Sequence, residues 1–247
     1  MAGLIGAPLT VARCLALQAA WSYERMQGVG MAWASEPALR RLFGHDPDRY
    51  RAALGRSASF FNANPFLAPT AVGAFLRAEA DEMPPAQVER LRTALSGPLG
   101  ALGDRLYWTG VVPALSGMAV CGVALGAGWW PVLALLLVHN GTRLWLSHWL
   151  LRLGWTHGPM VGVAMTASPL SGAATLAAIV ATVVGTAAPL LVTVSALENG
   201  SLADWGLVAA VALAAVGFRW LRGRRASALK FTLAASVVAI LWHLGRA

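Results

Sequence analysis

The sequence predicts an all-α, polytopic membrane protein in which broken or re-entrant N-terminal helices precede about five or six transmembrane spans. Two properties of the chain lead to this prediction. Of its 247 residues, 57% are hydrophobic and 12% are charged, whereas soluble domains carry about 25% charged residues. Residues 159–197 contain no charged side chain at all, and a single transmembrane helix needs only about 20 apolar residues.

The first 105 residues form the part of the chain in which the broken helices are expected. They hold nine of the eleven acidic residues, and Pro and Gly repeatedly cut their short apolar stretches. Such helices at membrane depth must be buried in protein or line a cavity. The pattern predicts these elements in order: a helix from about Leu9 to Gly28, a helix around Met31–Phe43, a loop with a short helix over 44–56, and a helix near Ala71–Ala80.

Long apolar runs dominate the rest of the chain and are the predicted membrane spans. Residues 159–197 are too many for one ordinary span and few for two, and Pro169 could mark a turn between them. The number of spans is therefore left open. The runs are Leu106–Gly126, Trp130–Leu153, 159–197, 202–220 and 228–244.

Charge gives an expected orientation. A basic cluster lies between the last two apolar runs, and short basic loops of membrane proteins face the cytoplasm. The C-terminus is then expected outside. No RNA- or DNA-binding pattern accompanies the net charge of +8, so no nucleic-acid partner is expected. The cluster consists of Arg219, Arg222, Arg224, Arg225 and Lys230.

The first of four polar stretches is AWSYERMQGVG at residues 20–30. In the predicted helix, Trp21, Glu24 and Gly28 share a face, and Trp21 also shares one with Arg25. Ionisable groups at membrane depth are expensive and usually face a bundle interior or a wet cavity. The stretch therefore suggests a ligand or subunit contact, and the alternative is that Glu24 and Arg25 lie at the membrane surface and extend their charges to water.

The second stretch is FFNANPFLAP at residues 60–69. Asn62 and Asn64 precede Pro65, and a residue before proline avoids the α region, so the helix is interrupted here. An unwound segment offers free carbonyl groups, and the two amides both donate and accept hydrogen bonds. This combination suits an uncharged polyhydroxyl ligand. The alternative is an ordinary capped turn.

The third stretch is SGPLGALGDRLYW at residues 96–108. Its three glycines permit the close approach of another backbone, and they bring Asp104 to the start of a predicted span whose first turn holds Trp108. Asp104 is a candidate ligand contact. It is equally a candidate for a helix N-cap that stabilises the helix dipole.

The fourth stretch is HNGTRLWLSHW at residues 139–149, inside a predicted span. Asn140 and Arg143 are three residues apart and share a helix face. An arginine inside a membrane needs a partner, and Asp104 or Glu79 is the expected one. A structural ion pair and a direct ligand contact both remain possible roles for Arg143.

Catalytic patterns are absent from the sequence. The five histidines show no zinc-ligand spacing, and the chain has no GxSxG, Walker or CxxC motif. We therefore expect no metal site, no cofactor and no enzymatic activity of this chain on its own.

Taken together, the four polar stretches resemble a known family. AAWSYERMQGVGMAW, FFNANPF, SGPLGALGDRLYW and HNGTRL are similar, in the same order, to motifs of the IID component of mannose-family phosphotransferase systems (PTS). EPALRRL at 36–42 also matches text typical of the family. The resemblance is close over roughly residues 12–155, so residues 1–157 are taken as the IID core region and 158–247 as C-terminal transmembrane helices.

The resemblance implies a membrane subunit of a sugar permease in the bacterial inner membrane. Such a subunit assembles with a IIC subunit, as an expected trimer of IIC–IID heterodimers in the lipid bilayer. Together they bind and translocate a hexose such as mannose or glucose, and a separate phosphorylated IIB protein in the cytoplasm donates the phosphate. The IID chain itself carries no phosphorylation site.

The resemblance also assigns roles to residues of this chain. One set of four is expected to bind substrate, and a second set of six is expected at structural positions or subunit interfaces. The expected substrate-binding residues are Glu24, Asn62, Asn64 and Asp104. The structural or interface residues are Trp21, Arg25, Gln27, Trp108, Asn140 and Arg143.

Two departures from the family pattern leave an alternative open. The family commonly has an arginine before the proline that follows the third motif, where this chain has Val112, and a second arginine where this chain has Ser147. The alternative is a divergent, non-transporting regulatory or assembly subunit of a PTS-like membrane complex. A third possibility is a proton- or sodium-coupled carrier that needs no IIB partner.

Overall fold

The computed structural model describes residues 8–196, 202–222 and 228–245, and over these ranges the chain is helical and contains no β-strand. Within these ranges, β-type pairing is limited to isolated bridges that join Ser22 to Met26 and Met26 to Phe61. The all-α prediction is confirmed at this level. The chain divides into two compact units, which are taken separately.

The first unit comprises Met1–Asp104 and Gly141–Leu170. Its centre is α4 (Ala68–Ala80), where nearly every side chain is buried. Here α4 and α7 (Trp130–His157) touch through two glycines, because a Cβ on Gly73 would lie 2.1 Å from the Leu151 carbonyl oxygen and one on Gly154 would lie 2.0 Å from that of Thr70. The helices of this unit are α1 Pro8–Cys14, α2 Gly28–Phe43, α3 Pro47–Ser57, α4 Ala68–Ala80, α5 Pro85–Gly103, the second half of α7 (Trp130–His157) and α8 Val161–Thr166.

Helices α2, α3 and α4 confirm three of the four predicted N-terminal elements, with small shifts of their ends. The start of α3 shows the expected local chemistry. Asp46 is the N-cap, its Oδ1 accepts a 3.0 Å hydrogen bond from the Arg49 backbone N–H, and Pro47 occupies the first turn.

The predicted helix from Leu9 to Gly28 is wrong. Helix α1 ends at Cys14, residues 15–20 form turns, and the chain then reverses direction between Ser22 and Met26. Met26 has a φ of 51°, in the left-handed region that a helix excludes. Trp21, Glu24 and Gly28 therefore do not share a helix face. In place of helical bonds, Ser22 and Met26 exchange two backbone hydrogen bonds, and the Gln27 N–H and the Arg25 carbonyl bond to the backbone of Phe61.

Helix α5 does not end where the predicted span begins. It continues as a π-helical segment, Asp104–Val111, into α6, Val112–Ala124. Asp104 therefore lies inside a continuous helical stretch, and the prediction that it begins a helix as N-cap is wrong. The wide turns precede Pro113, which has no N–H to donate and whose ring would clash with the carbonyl four residues back in an α-helix.

The second unit comprises Arg105–Asn140 and Ser171–Ala247. One of its hydrophobic clusters joins the end of α9 (Leu170–Ala196) to α11 (Ala228–Leu244). The cluster consists of Leu190, Leu191, Val194, Ala235 and Ala239. Its helices are α6, the first half of α7, α9 Leu170–Ala196, α10 Leu202–Arg222 and α11 Ala228–Leu244.

Two helical stretches, Pro85–Ala124 and Leu170–Ser195, are long and apolar enough to cross a membrane. The uncharged run 159–197 contains one long helix, α9, and the predicted turn at Pro169 separates it from the short α8. The total number of spans and the re-entrant character of the N-terminal helices stay predictions.

The two terminal apolar runs are helical, as predicted, over the part of each that the structure describes. Residues 197–201 and 223–227 lie outside the described residues. The orientation inferred from the basic cluster, which falls partly on them, stays a prediction as well.

Candidate functional site

The interrupted helix at FFNANP is an extended stretch, residues 59–64, which we call the unwound segment. Gln27 holds the C-terminal half of this segment. The side chain of Gln27 is 1% exposed, its Nε2 donates a 2.6 Å hydrogen bond to the Ala63 carbonyl, and its Oε1 accepts one of 3.3 Å from the Ala63 N–H. The Gln27 backbone N–H donates to the Phe61 carbonyl at 2.9 Å. The side-chain amide of Gln27 thus bonds to both backbone groups of Ala63, as a residue of a neighbouring β-strand would.

Arg92 holds the other end of the unwound segment. This arginine, on α5, is 2% exposed, and its Nη2 donates to the carbonyls of Ser59 at 2.6 Å and Phe60 at 3.5 Å. Its guanidinium lies over the rings of Phe61 and Phe75, at 5.6 Å and 4.9 Å from their centres. Such cation–π contacts are favourable, and more so away from water.

Sequence reasoning missed Arg92, although a signal for it exists. Val88, Arg92, Leu95 and Leu99 follow each other at spacings of four, three and four residues, which is one face of a helix. The other three are buried apolar side chains. An arginine in that row is therefore on the buried face.

The carbonyl groups of the unwound segment are all occupied. Ser96 Oγ donates to the Asn62 carbonyl, and the Asn64 carbonyl accepts from the N–H groups of Leu67 and Ala68 at 3.0 Å and 2.9 Å. With the bonds from Gln27 and Arg92, every carbonyl from residue 59 to 64 has a donor within the first unit. The expectation of free carbonyls is therefore wrong, because a folded chain satisfies nearly all of its backbone polar groups internally.

The unwound segment exposes side chains, and not carbonyl groups, to its surroundings. Phe61 and Ala63 are buried, whereas Phe60 is 54% exposed and Asn62 is exposed too. This alternation is the period of two typical of extended backbone. Asn62 is therefore available for outside contact.

The turn at residues 21–26 lies beside the unwound segment, since Met26 pairs with Phe61. Trp21 and Tyr23 are exposed, with their rings edge to face at 4.9 Å. Glu24 and Arg25 are exposed as well, and within the described residues neither side chain forms an ion pair. We call the exposed side chains of the turn and the unwound segment the polar–aromatic face: Trp21, Tyr23, Glu24, Arg25, Phe60 and Asn62.

Asn64 and Asp104, both predicted to bind substrate, contact each other. Asn64 is 2% exposed, its Nδ2 donates to Asp104 Oδ1 at 2.9 Å, and its Oδ1 accepts from the Phe66 N–H at 3.0 Å. Gly103 makes room for this, because a Cβ there would lie 2.2 Å from that of Asn64. Both polar atoms of Asn64 are thus engaged in the fold, and Asp104 is the exposed member of the pair.

The predicted ion pair of Arg143 with Asp104 or Glu79 is wrong. Arg143 Nη2 donates to the Leu15 carbonyl, and its guanidinium lies 5.3 Å from the centre of the Phe66 ring. Glu79 is buried and bonded to Arg56 through both oxygens at 2.7 Å. That hydrogen bond raises the pKa of Arg56 above its ordinary value. Because α1 ends at Cys14, the carbonyl of Leu15 lacks a helical donor and accepts from Arg143.

Two further predicted residues remain accessible. Trp108, in the π-helical segment, is half exposed. Asn140 is exposed, and its Nδ2 donates to the Leu136 carbonyl one turn back at 2.8 Å.

A second polar cluster, which sequence reasoning missed, ties α1, α2 and α3 together. Glu36 accepts from Arg13 at 2.8 Å, from Arg40 at 2.7 Å and from the Tyr50 hydroxyl at 3.3 Å. Burial alone would raise the pKa of Glu36, but the hydrogen bonds from Arg13 and Arg40 outweigh it and hold this pKa below its ordinary value. Two members of the cluster, Glu36 and Arg40, belong to the EPALRRL motif, which therefore has a structural role in joining the three helices.

Comparison with known proteins agrees with the motif resemblance. The family profile described as "PTS system mannose/fructose/sorbose family IID component" matches residues 9–241. The mannose-specific EIID component of Escherichia coli K12 is 29% identical over 146 residues, 57% of this chain and 51% of that protein. The sorbose-specific EIID component of Klebsiella pneumoniae is 30% identical over 146 residues, again 57% of this chain and 53% of that protein. The chain thus spans about half the length of the curated relatives it matches.

Two solved structures share the fold. One is a cryo-EM structure of the mannose transporter ManYZ in complex with microcin E492, with a TM-score of 0.57 and 21% identity, covering 96% of this chain and 94% of the other. The second is described as a membrane protein, with a TM-score of 0.64 and 22% identity, covering 94% and 93%. At these identities the likeness concerns the fold alone.

Proposed function

Because the chain belongs to the mannose/fructose/sorbose family of PTS IID components, a family of membrane permease subunits, we propose that it binds and translocates a hexose together with a IIC subunit. A separate IIB protein phosphorylates the sugar as it enters. This chain contributes to the pathway and not to the phosphoryl transfer. The complex is placed in the bacterial inner membrane as a multi-pass assembly with the C-terminus outside.

The observation that carries this proposal is the polar–aromatic face. Glu24 and Asn62 are exposed, and no side-chain bond within the described residues occupies them. A carboxylate and an amide supply the acceptors and donors that sugar hydroxyls need, and a nearby tryptophan would offer an apolar ring for stacking. Asp104, held by Asn64, is the further candidate for a sugar hydroxyl.

The same exposure suits contact with the IIC subunit. Exposed aromatic and arginine side chains are enriched at protein interfaces, and Trp21, Arg25 and Trp108 are of this kind. We assign these three and Asn140 to the IIC interface in a trimer of IIC–IID heterodimers. Gln27 and Arg143, by contrast, serve the packing of the first unit.

The regional assignment follows from the motifs. Residues 1–157 carry all four polar stretches and form the proposed core region for the sugar and the IIC subunit. Residues 158–247 supply C-terminal transmembrane helices. Movement of the sugar-binding part against the remainder would alternate its access to the two sides of the membrane.

The test is sugar-dependent thermal stabilisation of the chain co-purified with its IIC neighbour, across a panel of hexoses. A ligand that binds the folded state raises the melting temperature. We expect one hexose to stabilise the wild type and not Asn62→Ala. Gln87→Ala, which removes an exposed amide from α5, is the matched control and should respond like the wild type.

Two results would favour an alternative function over the proposed one. A complex that forms but responds to no hexose supports the non-transporting regulatory or assembly subunit. Sugar that accumulates in vesicles without phosphorylation supports an ion-coupled carrier.

A further inference from the structure

We propose that Arg92 is a positioning residue of the sugar site, which keeps Phe60 and Asn62 on the outer side of the unwound segment. This inference rests on the proposed function, because it assigns Arg92 an effect on sugar affinity through Asn62. Arg92 itself is buried and does not face the ligand.

The environment of Arg92 is unusual for a buried charge. Its nearest carboxylate, Glu89, lies 3.8 Å away and is more than half exposed. Its Nε is buried and has no hydrogen-bond partner. Burial of a guanidinium without a close counter-ion is unfavourable, and an apolar side chain would suit this row of α5 better. The interactions that Arg92 does make are with two backbone carbonyls and two aromatic rings.

Those two carbonyls belong to the residues that set the register of the segment. Gln27 fixes positions 61 and 63 from one side, and Arg92 fixes positions 59 and 60 from the other. In extended backbone, a slip of one residue exchanges the buried and exposed faces. Without the donor at Ser59 and Phe60, the N-terminal side of the step from exposed Phe60 to buried Phe61 loses its restraint, and the direction of Asn62 then depends on the bonds from Gln27 and Ser96 alone.

The first experiment compares Arg92→Met with Arg90→Met in cells that also express the IIC and IIB neighbours. Arg90 lies two residues earlier on α5 and is exposed. With radiolabelled D-mannose as probe, we expect Arg92→Met to raise the KM of uptake about tenfold, the effect of losing one hydrogen bond between Asn62 and the sugar, while Vmax changes little. Arg90→Met should match the wild type, and Arg92→Lys, which keeps the charge, should lie between. If Arg92→Met does not accumulate in the membrane, Arg92→Lys carries the comparison.

The second experiment identifies the route of the effect. If Arg92 acts by directing Asn62, then Asn62→Ala should weaken uptake strongly in the wild type and only slightly in Arg92→Met. Additive effects of the two substitutions, or a KM unchanged by Arg92→Met, overturn the inference.

Amide hydrogen exchange separates this inference from the proposed function. The N–H groups of Phe61 and Ala63 bond to Arg25 and Gln27 across the segment, so they should exchange faster in Arg92→Met than in Arg90→Met. If the wild type transports no mannose, the proposed function fails for that sugar while faster exchange still supports the positioning role. Unchanged exchange overturns that role whatever the uptake.

Discussion

Asn64 Nδ2 donates a 2.9 Å hydrogen bond to Asp104 Oδ1, which joins the unwound segment to the first residue of the π-helical segment. The two residues are forty positions apart in sequence. Asn64 also accepts from the Phe66 N–H. One amide thereby bonds both to Asp104 and to the backbone just before α4.

Asn64→Ala should destabilise the protein more than Asp104→Ala does. The first change removes two hydrogen bonds from a buried site, which corresponds to about 1–3 kcal/mol of unfolding free energy. The second removes one bond from an exposed carboxylate, for about 0.5–1.5 kcal/mol. Melting temperatures of the two purified variants should fall in that order. Equal melting temperatures for Asn64→Ala and the wild type would contradict the role of Asn64.

Gly103→Ala and Gly100→Ala should have opposite effects, although both glycines lie in α5. A Cβ on Gly103 would lie 2.2 Å from the Asn64 Cβ, whereas one on Gly100 would make an ordinary contact, 3.9 Å from the Ala63 Cα. Gly100→Ala should therefore raise the melting temperature, because alanine favours a helix interior by about 0.8–1.0 kcal/mol over glycine. Gly103→Ala should lower it by displacing Asn64, and a gain of stability at Gly103 would be inconsistent with the close approach.

Removal of Arg56 should cost more stability than removal of Arg51. Glu79 is 6% exposed, so Arg56→Met leaves its carboxylate buried without a counter-ion, at a cost of about 3 kcal/mol. The pair of Arg51 with Asp48 is fully exposed to solvent, and such pairs contribute about 0–1 kcal/mol. Thermal unfolding of the two variants measures the difference. Similar small losses for both would show that the Arg56–Glu79 pair contributes no more than a surface pair.

The Glu36 cluster predicts acid sensitivity of the first unit. The pKa of Glu36 is lower in the folded chain than its ordinary value of 4.5. The stabilisation it provides is therefore complete above pH 4.5 and is lost as the pH falls through the lower, folded-state pKa. Melting temperature measured against pH should show a smaller acid-side decline for Glu36→Gln than for the wild type. Parallel curves for the two proteins would exclude this contribution.

Glu24→Gln should reduce sugar uptake without lowering stability. Its side chain is exposed, so the folded state loses no ion pair, whereas a carboxylate bond to a sugar hydroxyl would lose about tenfold in affinity. Uptake kinetics and melting temperature measured on the same membranes test both parts. Unchanged uptake together with unchanged assembly would remove Glu24 from the site.

The sequence predicted the helical class, the four polar stretches and most helix positions, because these depend on local periodicity and on Pro and Gly. It did not predict the turn at residues 21–26 or the partner of Arg143. Both depend on contacts between residues distant in sequence: Gln27 bonds to Ala63, and Arg143 bonds to Leu15. A stretch whose side-chain spacing predicts a helix takes another backbone conformation when its groups form hydrogen bonds with residues that are distant in sequence.

The same limit explains why the free carbonyls expected at FFNANP are not found. Pro65 correctly indicated that the helix breaks, and the exposed position of the Asn62 side chain agrees with the predicted ligand contact, which itself stays a prediction. The occupation of the carbonyls was not visible in the sequence, because their donors are Arg92, Ser96 and Gln27 on other elements.

The π-helical segment makes the chain tolerant of a change in length at one place. Each π turn holds one residue more than an α turn, and each residue turns an α-helix by about 100°. A deletion within 104–111 that removes this extra residue and restores α-helical bonding would therefore leave the direction of α6 nearly unchanged. A one-residue deletion between Val112 and Gly117 has no extra residue to remove, so it would rotate everything after it. Gly117, where a Cβ would lie 2.5 Å from Val184, would turn away from α9, and the larger Met118 would take its place. Deletions should therefore be tolerated better within the π-helical segment than in the first turns of α6.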